Sequence, residues 1–120
     1  MEEYIQRWLD QAIEDLETAR FNFKGDRYRA AAFFSQQAAE KALKALYIKR
    51  FKKLKKIHDL FILATELNLP KELVDLCKEL SPAYTYTRYP DVIEIKDIEE
   101  VSEDLINHAE KIIKWIQERI

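Results

Sequence analysis

The sequence predicts an all-α fold, an up-and-down antiparallel bundle of four to five helices, and three observations lead to it. One glycine and three prolines in 120 residues leave few tight turns, which disfavours a sheet joined by hairpins. Apolar residues recur at three- or four-residue steps along most of the chain. Hydrophobic residues make up 48% and charged residues 35%, which suits one folded domain over residues 1–120 with no second core.

Two long helices open the chain. The first is predicted over residues 2–24 from an apolar stripe of Tyr4, Trp8, Ala12, Leu16, Ala19 and Phe23. Gly25 follows it, where glycine is expected to supply a left-handed cap. The second helix, over residues 27–52, has an alanine-rich inner face that allows close approach of its neighbours. Their similar lengths suit an antiparallel pair.

Two shorter helices form the third arm of the bundle. Asp59 is expected to cap a helix over residues 60–67, and Asn68 to end it. Pro70 suits the first turn of another helix over residues 70–82.

The last third of the chain begins with an irregular segment. Residues 81–96 contain two prolines and no sustained helical period, and are expected to form an ordered connection. Asp97 with Glu100 three residues later resembles a capping box. An apolar series from Ile98 to Ile116 then predicts the final helix.

Charge and composition exclude several classes of function. The net charge of -2 gives no overall basic field that would attract nucleic acid or a membrane, so any anion site is local. One cysteine and two histidines form no internal disulfide and no zinc ligand set. Glycine-rich phosphate loops, GxSxG and HExxH are lacking, so no cofactor or metal is expected. With no secretion signal or apolar span, the expected location is cytoplasmic.

Three single residues could take part in chemistry. His108 falls in the apolar series of the last helix and is expected to be a partly buried structural histidine. His58 stands beside Asp59, and both a local structural role and ligand contact remain open for it. Cys77 shares an apolar stripe with leucines and is expected to be an inert core thiol.

Two groups of basic residues stand out. Residues 49–56 hold six lysines and arginines, for which complementing a helix C-terminus is favoured over phosphate binding. Gln37, Lys41 and Lys44 share one face of the second helix, and this polar stripe could face a groove or solvent.

Aromatic residues surround an arginine in the irregular segment. Arg88 stands among Tyr84, Tyr86 and Tyr89, a combination that stacks bases and clamps phosphates. A loop that anchors itself to the core would use the same residues, and both interpretations stay open.

Three segments together resemble the HEPN domain family (higher eukaryotes and prokaryotes nucleotide-binding). They are FSQQAAEKALKA at residues 34–45, HDL at residues 58–60 and YTYTRYPD at residues 84–91. The resemblance runs nearly from end to end of the chain. It implies an up-and-down helical bundle, frequent dimerisation and association with minimal nucleotidyltransferases encoded as separate chains or fused domains.

The chain departs from the ribonuclease motif of that family. Many HEPN proteins are metal-independent ribonucleases with an Arg-x4-6-His motif. Here Arg50 lies eight positions before His58, and no histidine follows Arg88 at that spacing. The nuclease role is therefore not carried over, nor is adenylylation of a tyrosine assigned to Tyr89. The resemblance implies a nucleotide-binding or partner-binding branch, with motif positions Gln37, Lys41, Lys44, His58, Tyr84, Arg88, Tyr89 and Asp91.

The favoured hypothesis is a non-catalytic nucleotide-binding domain. It would form a homodimer, bind a nucleotide of the ATP or GTP type and act with a minimal nucleotidyltransferase. Arg88 would pair with phosphate, tyrosines would stack on the base, and Lys41 and Lys44 would add positive charge. The binding groove would lie between the second helix and residues 84–91.

Two alternatives belong to other classes. A toxin-like ribonuclease would pair Arg88 in space with His58 or His108, although RNA is less favoured than a nucleotide as the ligand. A pure interaction module would instead use an apolar patch around Trp115 or Phe51.

Overall fold

The computed structural model describes residues 2–89 and 97–120, and over these residues the protein is an all-helical bundle. In chain order the helices are α1 (Glu2–Lys24), α2 (Tyr28–Phe51), α3 (Leu60–Glu66), α4 (Lys71–Leu80), α5 (Ala83–Tyr86) and α6 (Ile98–Gln117). The predicted fold class is confirmed. Within the described ranges, no helix has both the length and the apolar character needed to cross a membrane.

A short turn reverses the chain between α1 and α2. The backbone N–H of Arg27 donates to the carbonyl of Asn22 at 2.8 Å. The left-handed residue is Asp26, with φ of 63°, so the expectation that Gly25 takes this conformation is wrong. Aspartate tolerates left-handed backbone because its short side chain bonds locally. The carboxylate of Asp26 accepts a hydrogen bond from the Tyr28 hydroxyl at 2.8 Å.

The buried stripe of α1 differs from the predicted one in its first two turns. Ile5 and Leu9 are buried there, whereas Tyr4 is exposed and Trp8 is half-buried. Positions 5 and 9 continue the stripe of Ala12 and the later core residues at helical spacing. The two aromatic rings therefore flank the core instead of entering it.

The alanine-rich face of α2 lies at the centre of the bundle. Six of its alanines are fully buried, namely Ala31, Ala32, Ala38, Ala39, Ala42 and Ala45. Small side chains allow α1 and α6 to pack closely on α2. The hydroxyl oxygen of Tyr28 also lies within hydrogen-bond distance of Glu99 near one end of α6, and Nζ of Lys49 donates to the Ile120 carbonyl at 3.0 Å near the other. Helix α6 therefore runs parallel to α2, and α1 runs antiparallel to both.

Helices α3 to α5 form the arm that positions the candidate site. The cap at Asp59 is confirmed, because its carboxylate accepts from the Ile62 N–H at 3.1 Å. The Ser81 hydroxyl accepts from the Leu60 N–H at 3.0 Å, which joins the end of α4 to the start of α3. The segment predicted as a connection contains α5, a single helical turn that buries Ala83.

Helix α6 begins without the predicted capping box. Asp97 has φ of 57°, and its side chain makes no cap hydrogen bond. A capping side chain needs extended backbone at this position, and the left-handed conformation turns the carboxylate away from the first N–H groups. Farther along, Nε2 of His108 bonds to Glu79 of α4, as expected of a partly buried structural histidine.

Candidate functional site

The side chain of His58 is held against the buried face of α2. It lies between α2 and α3, and Nδ1 is 3.0 Å from Oε2 of Glu40. The Glu40 side chain is only 6% exposed, whereas that of His58 is 52% exposed. One edge of the imidazole therefore faces the protein interior, and the edge that carries Nε2 faces outward.

Glu40 is the centre of a buried polar network. Nζ of Lys44 lies 2.9 Å from its Oε2, and Nε2 of Gln36 lies 3.1 Å from its Oε1. Gln36 also donates to the backbone carbonyl of His58 at 3.3 Å, and Gln37 donates to Gln36 at 2.8 Å. These contacts satisfy charges that would otherwise be costly to bury. They also fix the chain at His58 to α2.

The ring of Tyr84 contacts both His58 and Arg88. The rings of Tyr84 and His58 are stacked, with centroids 4.2 Å apart and planes 13° apart. The guanidinium carbon of Arg88 lies 4.6 Å from the centroid of Tyr84 and 5.9 Å from that of Tyr89. Because α5 is one helical turn, residues 84 and 88 fall on the same side. Arg88 thus lies among aromatic rings, as the sequence suggested.

Tyr86 has a different environment from the other two tyrosines. Its side chain packs partly against the hydrophobic core, and burial raises its pKa. Tyr89, in contrast, is 49% exposed. Tyr86 therefore anchors α5, while Tyr84 and Tyr89 supply ring surface near Arg88.

An open cavity of about 430 Å³ lies next to this cluster. Its lining residues are His58, Asp59, Phe61, Lys78, Ser81, Pro82, Tyr84 and Thr85. Nζ of Lys78 lies 5.0 Å from the ring centroid of Phe61, so a cation and an aromatic ring of neighbouring helices meet in the wall. The groove was predicted against α2, and Lys78 and Ser81 were not predicted among its lining residues. Their closeness in sequence to residues 84–88 was the one feature that could have indicated a place in the cavity wall.

Lys41 and Lys44 are both engaged in ion pairs. Nζ of Lys41 is 2.6 Å from Asp15, a carboxylate that the sequence analysis did not single out and that is buried on α1. Lys41 lines a separate shallow cavity of about 250 Å³ beside Trp8. Lys44 is 7% exposed and its Nζ lies 5.9 Å from the Trp8 ring centroid. Neither ammonium lines the cavity beside His58.

The predicted site residues thus separate into groups. His58, Tyr84, Arg88 and Tyr89 form the surface cluster, and Gln37 and Lys44 belong to the network behind His58. Asp91 lies outside the described residues.

Several side chains of the basic run contact nearby backbone. Arg50 donates to the carbonyl of Leu67, and Lys52 donates to the carbonyl of Lys49 at 2.9 Å. Lys55 lies 3.4 Å from Glu66 of α3. These contacts agree with the favoured interpretation of this run as a helix end and its flanking chain.

The side chains of the cluster can bind an anion and can stack on a planar ring. Arg88 and Lys78 carry positive charge, and Ser81 and Thr85 bear hydroxyl groups. Among residues 2–89 and 97–120, no group of three histidine, cysteine or acidic side chains is placed to hold a metal ion. Burial raises the pKa of the Cys77 thiol to about 12, which suits a packing role.

The fold and the cluster define a small helical-bundle domain with an aromatic and basic site at one side of its central helix. The HEPN domain model matches residues 5–120. The chain therefore belongs to the HEPN domain family.

Solved structures of similar proteins extend over nearly the whole chain. TT1696 from Thermus thermophilus is 30% identical, with a TM-score of 0.89 and coverage of 97% of this chain and 98% of that one. The archaeal HEPN homologue ST0689 is 34% identical, with a TM-score of 0.80 and 96% coverage of both chains. The HEPN domain protein TM0613 from Thermotoga maritima is 30% identical, with a TM-score of 0.75 and coverage of 93% and 95%. No curated protein matches the chain.

Proposed function

We propose that this HEPN domain binds a nucleotide in the cavity beside His58, Tyr84 and Arg88. The observation that carries the proposal is the packing of His58 and Arg88 on the ring of Tyr84 at the edge of this cavity. A guanidinium binds phosphate through paired hydrogen bonds, and aromatic side chains stack on bases. The cavity volume of about 430 Å³ lies within the range of small-molecule sites.

Residues of the cavity wall and of the adjoining cluster suggest which part of the ligand each would bind. Lys78 of the wall, and Arg88, which packs on the wall residue Tyr84, provide the positive charge for phosphate that the acidic chain as a whole does not supply. The hydroxyl groups of Ser81 and Thr85 can donate further hydrogen bonds. Phe61 and Tyr89 are both exposed and offer ring surface to the base.

The proposed protein partner is a minimal nucleotidyltransferase, and the proposed assembly is a homodimer. Both follow from what membership of the family implies. Co-purification of this chain with such an enzyme, with and without Arg88→Ala, tests whether the two proteins meet at the cluster. Binding that survives Arg88→Ala would place the contact elsewhere on the bundle.

Thermal unfolding in the presence of ligands tests nucleotide binding directly. The panel is ATP, GTP, CTP, UTP and a short RNA, and the matched control is Arg29→Ala, which removes an exposed arginine from α2. A ligand at 100 times its Kd stabilises the fold by about 2.7 kcal/mol. We expect one or more nucleotides to raise the Tm of the wild type and of Arg29→Ala, and not of Arg88→Ala. Absence of any shift in the wild type would reject the proposal.

A second candidate function is metal-independent RNA cleavage. It is favoured by one observation: His58, which stacks on the Tyr84 ring that Arg88 also contacts, has a buried carboxylate at its Nδ1, an arrangement that orients general acid–base histidines. RNA incubated with the protein and a chelator should then be cut by the wild type and by His108→Gln, but not by His58→Gln. RNA that stays intact with the wild type would exclude this function.

A further inference from the structure

The hydrogen bonds around Glu40 have a fixed direction. Gln37 donates to Oε1 of Gln36, so the amide nitrogen of Gln36 is the atom that faces Glu40. Lys44 has only donors, and its Nζ lies 2.9 Å from Oε2 of Glu40. Gln36 and Lys44 therefore both donate to the carboxylate of Glu40.

The same direction determines where His58 carries its hydrogen. Nδ1 lies 3.0 Å from Oε2 of Glu40, an oxygen that accepts hydrogen bonds and has none to give. Nδ1 must then bear the hydrogen, and Nε2 of the neutral ring bears the lone pair. Lys44 already supplies a positive charge that balances Glu40, so the neutral form of His58 satisfies this contact as a hydrogen-bond donor.

We propose that Glu40 is a positioning residue, which holds His58 as the Nδ1–H tautomer and presents the lone pair of Nε2 to the cavity. A lone pair selects a ligand group that donates, such as a sugar hydroxyl or an exocyclic amine of a base. Phosphate oxygens accept, so they are left to Arg88 and Lys78. The identity of this ligand group rests on the proposed nucleotide binding, whereas the tautomer does not.

His108 provides an internal reference for this inference. It bonds through Nε2 to Glu79, and its Nδ1 is buried with no hydrogen-bond partner among the described residues. A buried nitrogen without a partner is less costly as a lone pair than as an N–H. The two histidines of the chain are therefore expected in opposite tautomers.

Nitrogen-15 NMR of the imidazole rings, recorded in alkaline buffer, tests the tautomers in the wild-type protein. An unconstrained histidine favours Nε2–H, so a predominant Nδ1–H form at His58 is the informative result. Glu40→Gln should shift His58 toward Nε2–H and leave His108 unchanged, while the matched Glu79→Gln should leave His58 unchanged. A wild-type His58 in the Nε2–H form would overturn the inference.

Glu40→Gln leaves the Lys44 ammonium buried without its carboxylate, which can prevent folding. The double variant Glu40→Gln/Lys44→Met removes both charges together and is the second test protein. Because the wild-type spectrum alone decides the tautomer, the inference can be refuted even if neither variant folds.

Ligand affinity separates this inference from the function on which it depends. The probes are ATP and inorganic tripolyphosphate. In the double variant we expect ATP to bind about tenfold more weakly, the loss of one hydrogen bond, while tripolyphosphate affinity is retained. An equal loss for both probes would make His58 a phosphate ligand and overturn the inference. If the wild type binds neither probe, the proposed nucleotide binding is rejected. The NMR spectrum of the wild type still decides the tautomer of His58.

Discussion

The imidazole of His58 and the phenol ring of Tyr84 lie nearly parallel, with centroids 4.2 Å apart. This stack joins the chain before α3 to the single turn of α5. A helix of four residues has no stability of its own, so its position depends on such contacts and on burial of Ala83. The placement of Arg88 beside the cavity therefore depends on a ring that is not itself charged.

Removal of the Tyr84 ring should disrupt the cluster, whereas removal of its hydroxyl should not. Tyr84→Ala loses the surface on which both His58 and Arg88 pack, and a pair of aromatic side chains contributes about 0.5–1.5 kcal/mol beyond its buried area. We expect a fall of at least tenfold in ATP affinity, measured by calorimetric titration. Tyr84→Phe keeps the ring and should bind ATP within twofold of the wild type. Equal effects of both substitutions would show that the hydroxyl matters and the stack does not.

Loss of Asp15 and loss of Lys41, which form an ion pair, should lower the free energy of unfolding by different amounts. The Asp15 side chain is 6% exposed and that of Lys41 is 25% exposed. Lys41→Met leaves a buried carboxylate whose one remaining donor among residues 2–89 and 97–120 is Gln11, and we expect it to lower the free energy of unfolding by about 3 kcal/mol. Asp15→Asn leaves an ammonium that can reach water, with an expected loss of about 1 kcal/mol.

Urea unfolding of the two single variants and of Asp15→Asn/Lys41→Met measures this difference. The double variant should be more stable than Lys41→Met alone, because it removes the unpaired carboxylate. Since Lys41 lines a different cavity from His58, ATP affinity should stay unchanged in Lys41→Met. A weaker affinity would return Lys41 to the nucleotide site, where the sequence had placed it.

Features that depend on neighbouring residues in the chain could be predicted from the sequence. The cap at Asp59 and the alanine face of α2 follow from local rules of helix geometry and capping. Arg88 among tyrosines was visible for the same reason, since the partners lie within one helical turn of it.

The buried charges could not be predicted in this way. Asp15 and Glu40 do not stand out from the apolar pattern of their helices. Asp15 can be buried because Lys41 of the facing helix pairs with it, and Glu40 because Lys44 lies one turn away. The role of Glu40 depends on His58, which reaches it only after the chain has turned back between α2 and α3. Lys78 lies in the cavity wall because α4 packs beside α3, and its closeness in sequence to residues 84–88 does not specify that packing.

The alanine face of α2 should not tolerate larger side chains. Ala42 is fully buried where α2 faces its neighbours, so Ala42→Leu adds volume that the close packing cannot accept. We expect a loss of about 1–3 kcal/mol in the free energy of unfolding. Ala30→Leu, at a half-exposed position of the same helix, is the matched control and should change stability by less than about 0.5 kcal/mol. A similar loss in both variants would indicate helix propensity and not packing as the cause.

The buried thiol of Cys77 should give the fold a specific dependence on alkaline pH. Burial raises its pKa to about 12 from an ordinary value of 9.0, so the unfolded chain releases this proton at lower pH than the folded chain does. Ionisation of the thiol therefore favours unfolding as pH rises above 9, by up to about 1.4 kcal/mol for each pH unit until the folded thiol also ionises. Below pH 9 the stabilisation is fully present.

Lysines and tyrosines titrate in the same range, so the test compares the wild type with Cys77→Ala. Cys77→Ala lowers stability at pH 7 through the cavity that it leaves, but it lacks the thiol proton. We expect the difference in free energy of unfolding between the two proteins, measured in urea, to narrow steadily from pH 9 to pH 11. The wild-type thiol should also resist alkylation at pH 8 until urea unfolds the chain. A constant difference between the two proteins, or rapid alkylation of the folded chain, would mean that Cys77 is accessible to water.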